Sequence, residues 1–337
     1  HRNSLIVDSH CDTPMKFTPG FNFGQRHEDV KVDLPKMQEG REDAVFMVAY
    51  LHQDSRDEEA SRAATRKAVD ILYQISEQVK LNQSRVGIAY NEDDLLYLKN
   101  AGKKAIFLAI ENGYAIGKDI ANLEMFKKMG VTYITLCHNG SNDICDSAKG
   151  EPEHNGLSDF GRQVVKEMNR LGIIVDISHA NAKTVQDVLE TSEAPIIASH
   201  SSARALRDHP RNLTDDQIRA IADKGGVVQV CLYNSFLSAQ PNPTILDAVA
   251  HINHIVRIVL VAEQVLPAQK HLQLGVGHML FKGTKPLPRV FVEEAHRRVK
   301  GRAAPHLYRM VADFVHRLAY REHVVGTQAR RHDRLVR

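Results

Sequence analysis

The chain has no run approaching the ~18 consecutive apolar residues that a membrane-spanning helix needs, so no transmembrane segment is expected. It has four cysteines, Cys11, Cys137, Cys145 and Cys231, and no Cys-x-x-Cys pair. That argues against a disulfide framework or a zinc knuckle and for buried thiols. No Gly-x-Ser-x-Gly stretch marks a serine nucleophile. No internal repeat and no low-complexity tract is visible. No signal peptide is visible either, but the chain opens at His1 rather than Met, which is compatible with a leader removed earlier. The compartment therefore stays open between cytoplasm and export.

Charge is unevenly spread. The net charge is +3, yet residues 259–337 hold 15 Lys+Arg against 6 Asp+Glu and carry +9, leaving −6 on residues 1–258. No aromatic platform accompanies this basic segment, so it reads as a solvated face and nucleic acid is not an expected partner. At 337 residues and 43% apolar composition, a sizeable core is within reach. The length fits about two domains of roughly 150 residues, or one α/β barrel of about 250 with an addition.

Short β-branched runs alternate with amphipathic segments. Strands are expected at 5–9, 44–51, 104–110, 132–137, 173–178, 195–199 and 227–233. Each is almost continuously apolar, as a strand covered on both faces must be. Helices are expected at 158–171, where Phe160, Val164, Val165, Met168 and Leu171 share a side. They are also expected at 214–223, which opens with Thr214 and Gln217 at capping-box spacing, and at 244–259, where Ile245, Val249, Ile252, Val256 and Val259 share a face. The segment 52–100 is too long for a simple crossover and reads as about two helices laid over the barrel. The alternation predicts a parallel sheet, and an eighth strand would close it into a (β/α)8 barrel.

Polar residues stand where these strands end. The first run leads into His10-Cys11-Asp12, the third into Glu111-Asn112, the fourth into His138-Asn139, the fifth into His179 and the sixth into His200. The C-terminal rim of such a barrel is where active sites form. Residues i and i+2 of a strand share a face, so His10 and Asp12 point together and Cys11 points away. Nitrogen and carboxylate donors in this mixture suit Zn²⁺. A carboxylate that bridges two ions is a natural part of a two-metal hydrolytic site, and Glu111 is placed for it. Blander readings exist for each residue alone. A strand-end histidine is often only a hydrogen-bonded loop residue. Glu111 fits a helix cap, and Asp12 a turn before Pro14. Asp8 and Asp176 fit either acceptors for ligand histidines or buried, satisfied carboxylates, the second being preferred.

On these residues the sequence resembles the membrane (renal) dipeptidase family of zinc peptidases. The carrying segments are VDSHCDTP (7–14), AIENG (109–113), GVTYITLCHNGSN (130–142), GIIVDISHA (172–180), APIIASHSSAR (194–204), HPRNLTDDQI (209–218) and GGVVQVCLYNSF (225–236). The resemblance spans about residues 5–258. It implies a TIM-type barrel of the metal-dependent hydrolase kind over 1–258. It also implies two zinc ions per chain, a dipeptide substrate and a metal-bridging hydroxide as nucleophile. By resemblance, His10 and Asp12 bind the first zinc, Glu111 bridges, and His179 and His200 bind the second. His138 matches a substrate-contacting histidine suited to an oxyanion. Arg211 matches an arginine that pairs with the dipeptide's terminal carboxylate, although Arg204 and Arg207 stand close by and a solvated loop arginine is the plainer reading. Tyr233 matches a substrate-pocket tyrosine, or else a strand-end core aromatic. Members of the family cleave dipeptides, tolerate a D-residue at the C-terminal position and in some cases open β-lactams. A homodimer is compatible with the resemblance.

The resemblance stops abruptly. The family's eighth strand ends in Gly-x-Gly-(Ser or Thr)-Asp-Phe-Asp-Gly, and its first Asp is expected to bind the substrate amine. Here Gly275-Val276-Gly277 is followed by His278, Met279, Leu280, Phe281 and Lys282. The break coincides with the onset of the basic segment, so 259–337 reads as a divergent or out-of-frame completion of the barrel. The abruptness favours the second. Three functions follow for test: a zinc dipeptidase, a catalytically impaired metal-binding homologue, and an amide hydrolase of another small substrate.

Overall fold

The computed structural model describes residues 5–263. Among these residues eight strands alternate with helices: β1 Val7–Cys11, β2 Ala44–Tyr50, β3 Val86–Ile88, β4 Lys104–Glu111, β5 Val131–Thr135, β6 Ile174–Asp176, β7 Ile197–Ala198 and β8 Val227–Val228. The helices among these residues are α1 Leu34–Gly40, α2 Glu58–Leu81, α3 Glu92–Asn100, α4 Asn122–Lys128, α5 Asp159–Leu171, α6 Ala182–Thr191, α7 Asp215–Asp223, α8 Asn234–Leu237 and α9 Ile245–Glu263. None is long and apolar enough to cross a membrane.

The strands form one parallel sheet in the order β1-β2-β4-β5-β6-β7-β8. It curls like a TIM-type barrel, because β1 returns to the far side of the sheet. Ser9 donates from its backbone N–H to Gln229 Oε1 at 3.0 Å and from its hydroxyl to Ser199 O at 2.7 Å. Gln229 in turn donates to Asp8 Oδ1 at 3.2 Å. The stretch around Gly275-Val276-Gly277 that stands where the closing strand is expected, Met279 and the rest of the basic segment beyond Glu263 lie outside the described residues.

Two apolar layers follow from strand alternation. One lies inside the curl, where Phe46 stacks on Phe107 at 4.6 Å and packs with Val7, Val48 and Tyr133. The larger one lies between sheet and helices. There α5 buries Val164, Val165 and Met168, with Ser158 capping the backbone N–H of Gly161. The capping box at Thr214 and Gln217 is formed. Cys11, Cys137 and Cys145 are buried and free, and Cys231 is partly covered.

The segment 52–100 differs from expectation in one respect. It does hold two helices, α2 and α3, but a short strand lies between them. β3 pairs with the first residues of β4, Val86↔Lys104 to Ile88↔Ile106, before β5 takes over that edge at Leu108. Three residues centred on Gly87, against which Leu98 packs, are too few to show a period. The last three strands are also shorter than their apolar runs, and between β6 and β7 the Asp176 carboxylate takes the backbone N–H groups of Ser178 and Ser199.

Candidate functional site

The strand ends bring five of the expected residues into one cluster. Glu111, the last residue of β4, is buried at 3% exposure. Its Oε2 lies 3.6 Å from His10 Nε2, and its Oε1 lies 3.1 Å from His179 Nε2 and 3.4 Å from His200 Nε2. The Nε2 atoms of His179 and His200 are 2.9 Å apart. Asp12 is half exposed, with Oδ1 3.5 Å from His10 Nε2, while Cys11 turns into the outer core. Two groups of donor atoms close enough to share an ion emerge, His10–Glu111–His200 and Glu111–His138–His179, and Glu111 belongs to both.

Local structure explains the convergence. Asn112 follows Glu111 with φ +86°, a conformation disfavoured for a side chain with a Cβ. It is held there by Tyr114 N–H and Asn142 Nδ2, which donate to its Oδ1, and by its own donation to Leu51 O. Asn112, not Glu111, caps the short 3-10 helix Gly113–Ile116, so the helix-cap reading of Glu111 falls away. His179, three residues beyond the end of β6, has φ +71°, and its ring faces Glu111. Such strain persists only where the surroundings over-determine it. Here Ala148 N–H donates to His179 O at 2.7 Å and Asn139 Oδ1 lies 3.3 Å from the ring Nδ1.

The other ring nitrogens are also engaged, as they must be to fix which nitrogen faces the cluster. Tyr133 Oη sits 2.9 Å from His10 Nδ1 and donates to Ser9 O. Ser199 Oγ sits 2.8 Å from His200 Nδ1 and donates to Asp176 at 2.7 Å. Asp176 thus reaches a site histidine through a serine, and it is fully satisfied. Asp8 binds the backbone of His10 and not its ring.

Burial raises the Glu111 carboxyl, but His10, His179 and His200 outweigh it and hold the group well below the ordinary carboxylate range. Burial, with Arg211, holds His179 well below the ordinary imidazole range. Burial, with His10, brings His200 down to about 4. Both are therefore neutral donors at neutral pH, as metal binding requires. Burial lowers His10, but Tyr133, Glu111 and Asp12 together raise it well above its usual value.

His138, the third member of the second donor group, is half-buried, its ring 4.3 Å from that of His179. Arg211 is buried at 3% exposure. It donates to His200 O at 3.1 Å and lies over the Phe236 ring at 5.4 Å. Among the described residues no carboxylate pairs with it, and its buried Nε has no partner. The solvated-loop reading of Arg211 is overturned, whereas Arg204 and Arg207 are partly exposed and spend donors on the backbone carbonyls of Pro210, Ser235 and Asp208. Tyr233 is 64% exposed at the start of α8, packed on Phe236 at 5.0 Å, so it is no core aromatic.

Two residues near the cluster were not anticipated from the sequence. Tyr133 is a fully buried mid-strand residue whose hydroxyl role no pattern announces. Tyr50 ends β2 in register with Glu111, its ring edge-on to His138 at 4.8 Å. The rim rule that found Glu111 also points to Tyr50.

A family model described as membrane dipeptidase, peptidase family M19, matches residues 1–262. Dipeptidase tcpJ of Claviceps purpurea (strain 20.1) is 35% identical over 233 residues, 66% of this chain and 54% of that protein. The uncharacterized dipeptidase C965.12 of Schizosaccharomyces pombe is 35% identical over 280 residues, 76% of this chain and 66% of that one. The chain therefore spans between about half and two thirds of these curated relatives. In fold it is similar to the crystal structure of dipeptidase AC, a metallopeptidase of family M19, with TM-score 0.71, 21% identity and coverage of 94% of this chain and 99% of that one. With most of its length inside the family model and its strand-end cluster assembled on the same kind of barrel, the chain belongs to the membrane dipeptidase family, M19.

Proposed function

We propose that the chain is a zinc-dependent dipeptidase that hydrolyses the peptide bond of dipeptides. Its two zinc ions are assigned to His10, Asp12, Glu111, His179 and His200. The observation that carries this reading is the way Glu111 divides its carboxylate, one oxygen toward His10 and the other toward His179 and His200. The 2.9 Å approach of the His179 and His200 nitrogens supports a shared ion for that pair. The donor set fits zinc in type, and Glu111, His179 and His200 fit it in protonation, whereas His10, raised by Tyr133, Glu111 and Asp12, would shed a proton on binding an ion. When bound, such ions supply an activated water and polarise the scissile carbonyl.

The chain's own groups do the rest. A dipeptide is defined by two termini close to one peptide bond, so one fixed charge sets the register. Arg211 suits the terminal carboxylate, because a buried guanidinium without an acidic partner is costly until one arrives. Its planar fork can take both carboxylate oxygens. Tyr233 and Phe236 flank that end. His138 is placed to donate to the oxygen that gains charge as the carbonyl becomes tetrahedral.

A second reading rests on Met279, which stands where the resemblance calls for an amine-binding Asp. An impaired, metal-holding homologue would lack that contact and its proton transfer, help typically worth ~10²–10⁴-fold. Zinc content measured together with turnover of a panel of dipeptides and cyclic amides separates the readings. Zinc with dipeptide turnover is expected. Zinc without turnover selects the impaired homologue, turnover of cyclic amides alone selects another amide hydrolase, and no zinc defeats the metal site.

A further inference from the structure

We propose that Arg56 is a positioning residue for this site: it pins the loop after β2 onto the loop after β5 and so sets the placement of Tyr50 and His138. The proposal rests on the site reading given above.

Tyr50 and His138 meet edge-on at 4.8 Å, and each stands at the base of a loop, 51–57 for Tyr50 and 136–158 for His138. Loops left to themselves are the mobile part of a barrel rim. The two are built differently. The longer loop has an internal frame: buried Asp146 accepts from the backbone N–H groups of Glu153, His154 and Gly156 at 2.7, 3.0 and 2.9 Å. That frame is tied to the site, since Ser147 Oγ donates to His138 O at 2.5 Å and Ala148 N–H donates to His179 O.

The shorter loop has no comparable frame. Gln53 Nε2 donates to Ser141 O at 2.5 Å, and Tyr114 Oη donates to Ser55 O at 2.5 Å. The charged link is Arg56. Its Nη2 lies 2.6 Å from Glu153 Oε2 and its Nη1 lies 3.5 Å from Asp143 Oδ1. One guanidinium therefore joins two carboxylates ten residues apart on the framed loop. The loops approach closely, since a Cβ at Gly140 would come within 3.0 Å of the Gln53 amide. The Arg56 ion pairs are with Asp143 and Glu153, so it acts on the site through the two loops it joins. Because the pin is partly buried rather than fully solvated, it retains value that a surface pair loses to screening.

The test uses the zinc-loaded full chain and the variants Arg56→Ala and Arg56→Lys. KM and kcat for a dipeptide are read alongside amide hydrogen exchange and thermal melting. For Arg56→Ala, a roughly twofold to fivefold rise in KM is expected, the scale of a lost partly exposed ion pair, with kcat changed less. Exchange should quicken in 51–57 and 136–147 and not across the sheet, and Arg56→Lys should recover most of both effects. An unchanged KM and unchanged exchange in Arg56→Ala overturns the proposal. So does faster exchange throughout the sheet with a lowered Tm, which would mark a merely structural role. If the wild type shows no turnover, the dipeptidase reading falls separately. Exchange in the two loops then decides alone: a local rise supports the pin, and none defeats it.

Discussion

The two halves of the sheet hold themselves together by different means. β2 and β4 pair over seven residues, from Ala44↔Ala105 to Tyr50↔Glu111, above the stacked rings of Phe46 and Phe107. β6 and β7 share one registered pair, Asp176↔Ile197, and β7 and β8 share two. There the ladder gives way to side chains. Asp176 accepts from Ser178 N–H, Ser199 N–H, Ser199 Oγ and Thr135 Oγ1 at 3.0, 2.9, 2.7 and 2.6 Å. The half with interrupted ladders presents His179 and His200, and the half with long ladders carries Glu111 at the end of the eight-residue strand β4. A strand paired without a break to β2 up to its last residue fixes one carboxylate. An irregular backbone turns two histidines onto it. The long-ladder half supplies stability and the short-ladder half supplies aim.

That contrast can be broken from either side. The largest effect on stability is expected from Phe107→Ala, which removes a buried ring from the inner stack and should cost about 3–5 kcal/mol. Urea unfolding reads it, and zinc affinity of the folded fraction should not change. Asp176→Ala comes next, with a cost of about 2–4 kcal/mol from the donors left unmet. It should also lower zinc affinity roughly 10–100-fold, because Ser199 no longer steadies His200. Equal zinc affinity in this variant would show that the short-ladder half does not aim the histidines. Arg211→Lys should leave both stability and zinc content near wild type while KM for dipeptides rises about tenfold, since a point charge cannot take a carboxylate two-pronged. Steady-state kinetics with a dipeptide and its C-terminal amide sharpens this, because the amide should discriminate far less between the two proteins.

The same contrast marks what was legible in the sequence. Seven strands were readable because strands covered on both faces are apolar along their length, and β2 and β4 nearly match their runs. The short strands occupy only part of their apolar runs. The run 227–233 shrinks to Val227–Val228, and 195–199 to Ile197–Ala198. Composition does not reveal that Asp176, Ser178 and Ser199 will compete for the ladder's partners, nor that His179 will take a left-handed backbone. The rim histidines and Glu111 were legible because chemistry-bearing residues recur at the same end of successive strands. Burial of Arg211 was not, since three arginines within eight residues look alike until the chain folds one of them under Phe236. β3 was too short to show a period, and Tyr133 hides its hydroxyl role inside an apolar strand.

The central claim is that Glu111 joins two metal positions, and zinc stoichiometry of Glu111→Gln against wild type tests it most directly. The amide keeps the size of the side chain but offers one oxygen where the carboxylate offers two. The variant is predicted to retain its fold by circular dichroism, to lose one of the two zinc ions and to lose dipeptide turnover. Full zinc content with wild-type turnover in Glu111→Gln would contradict the bridging role.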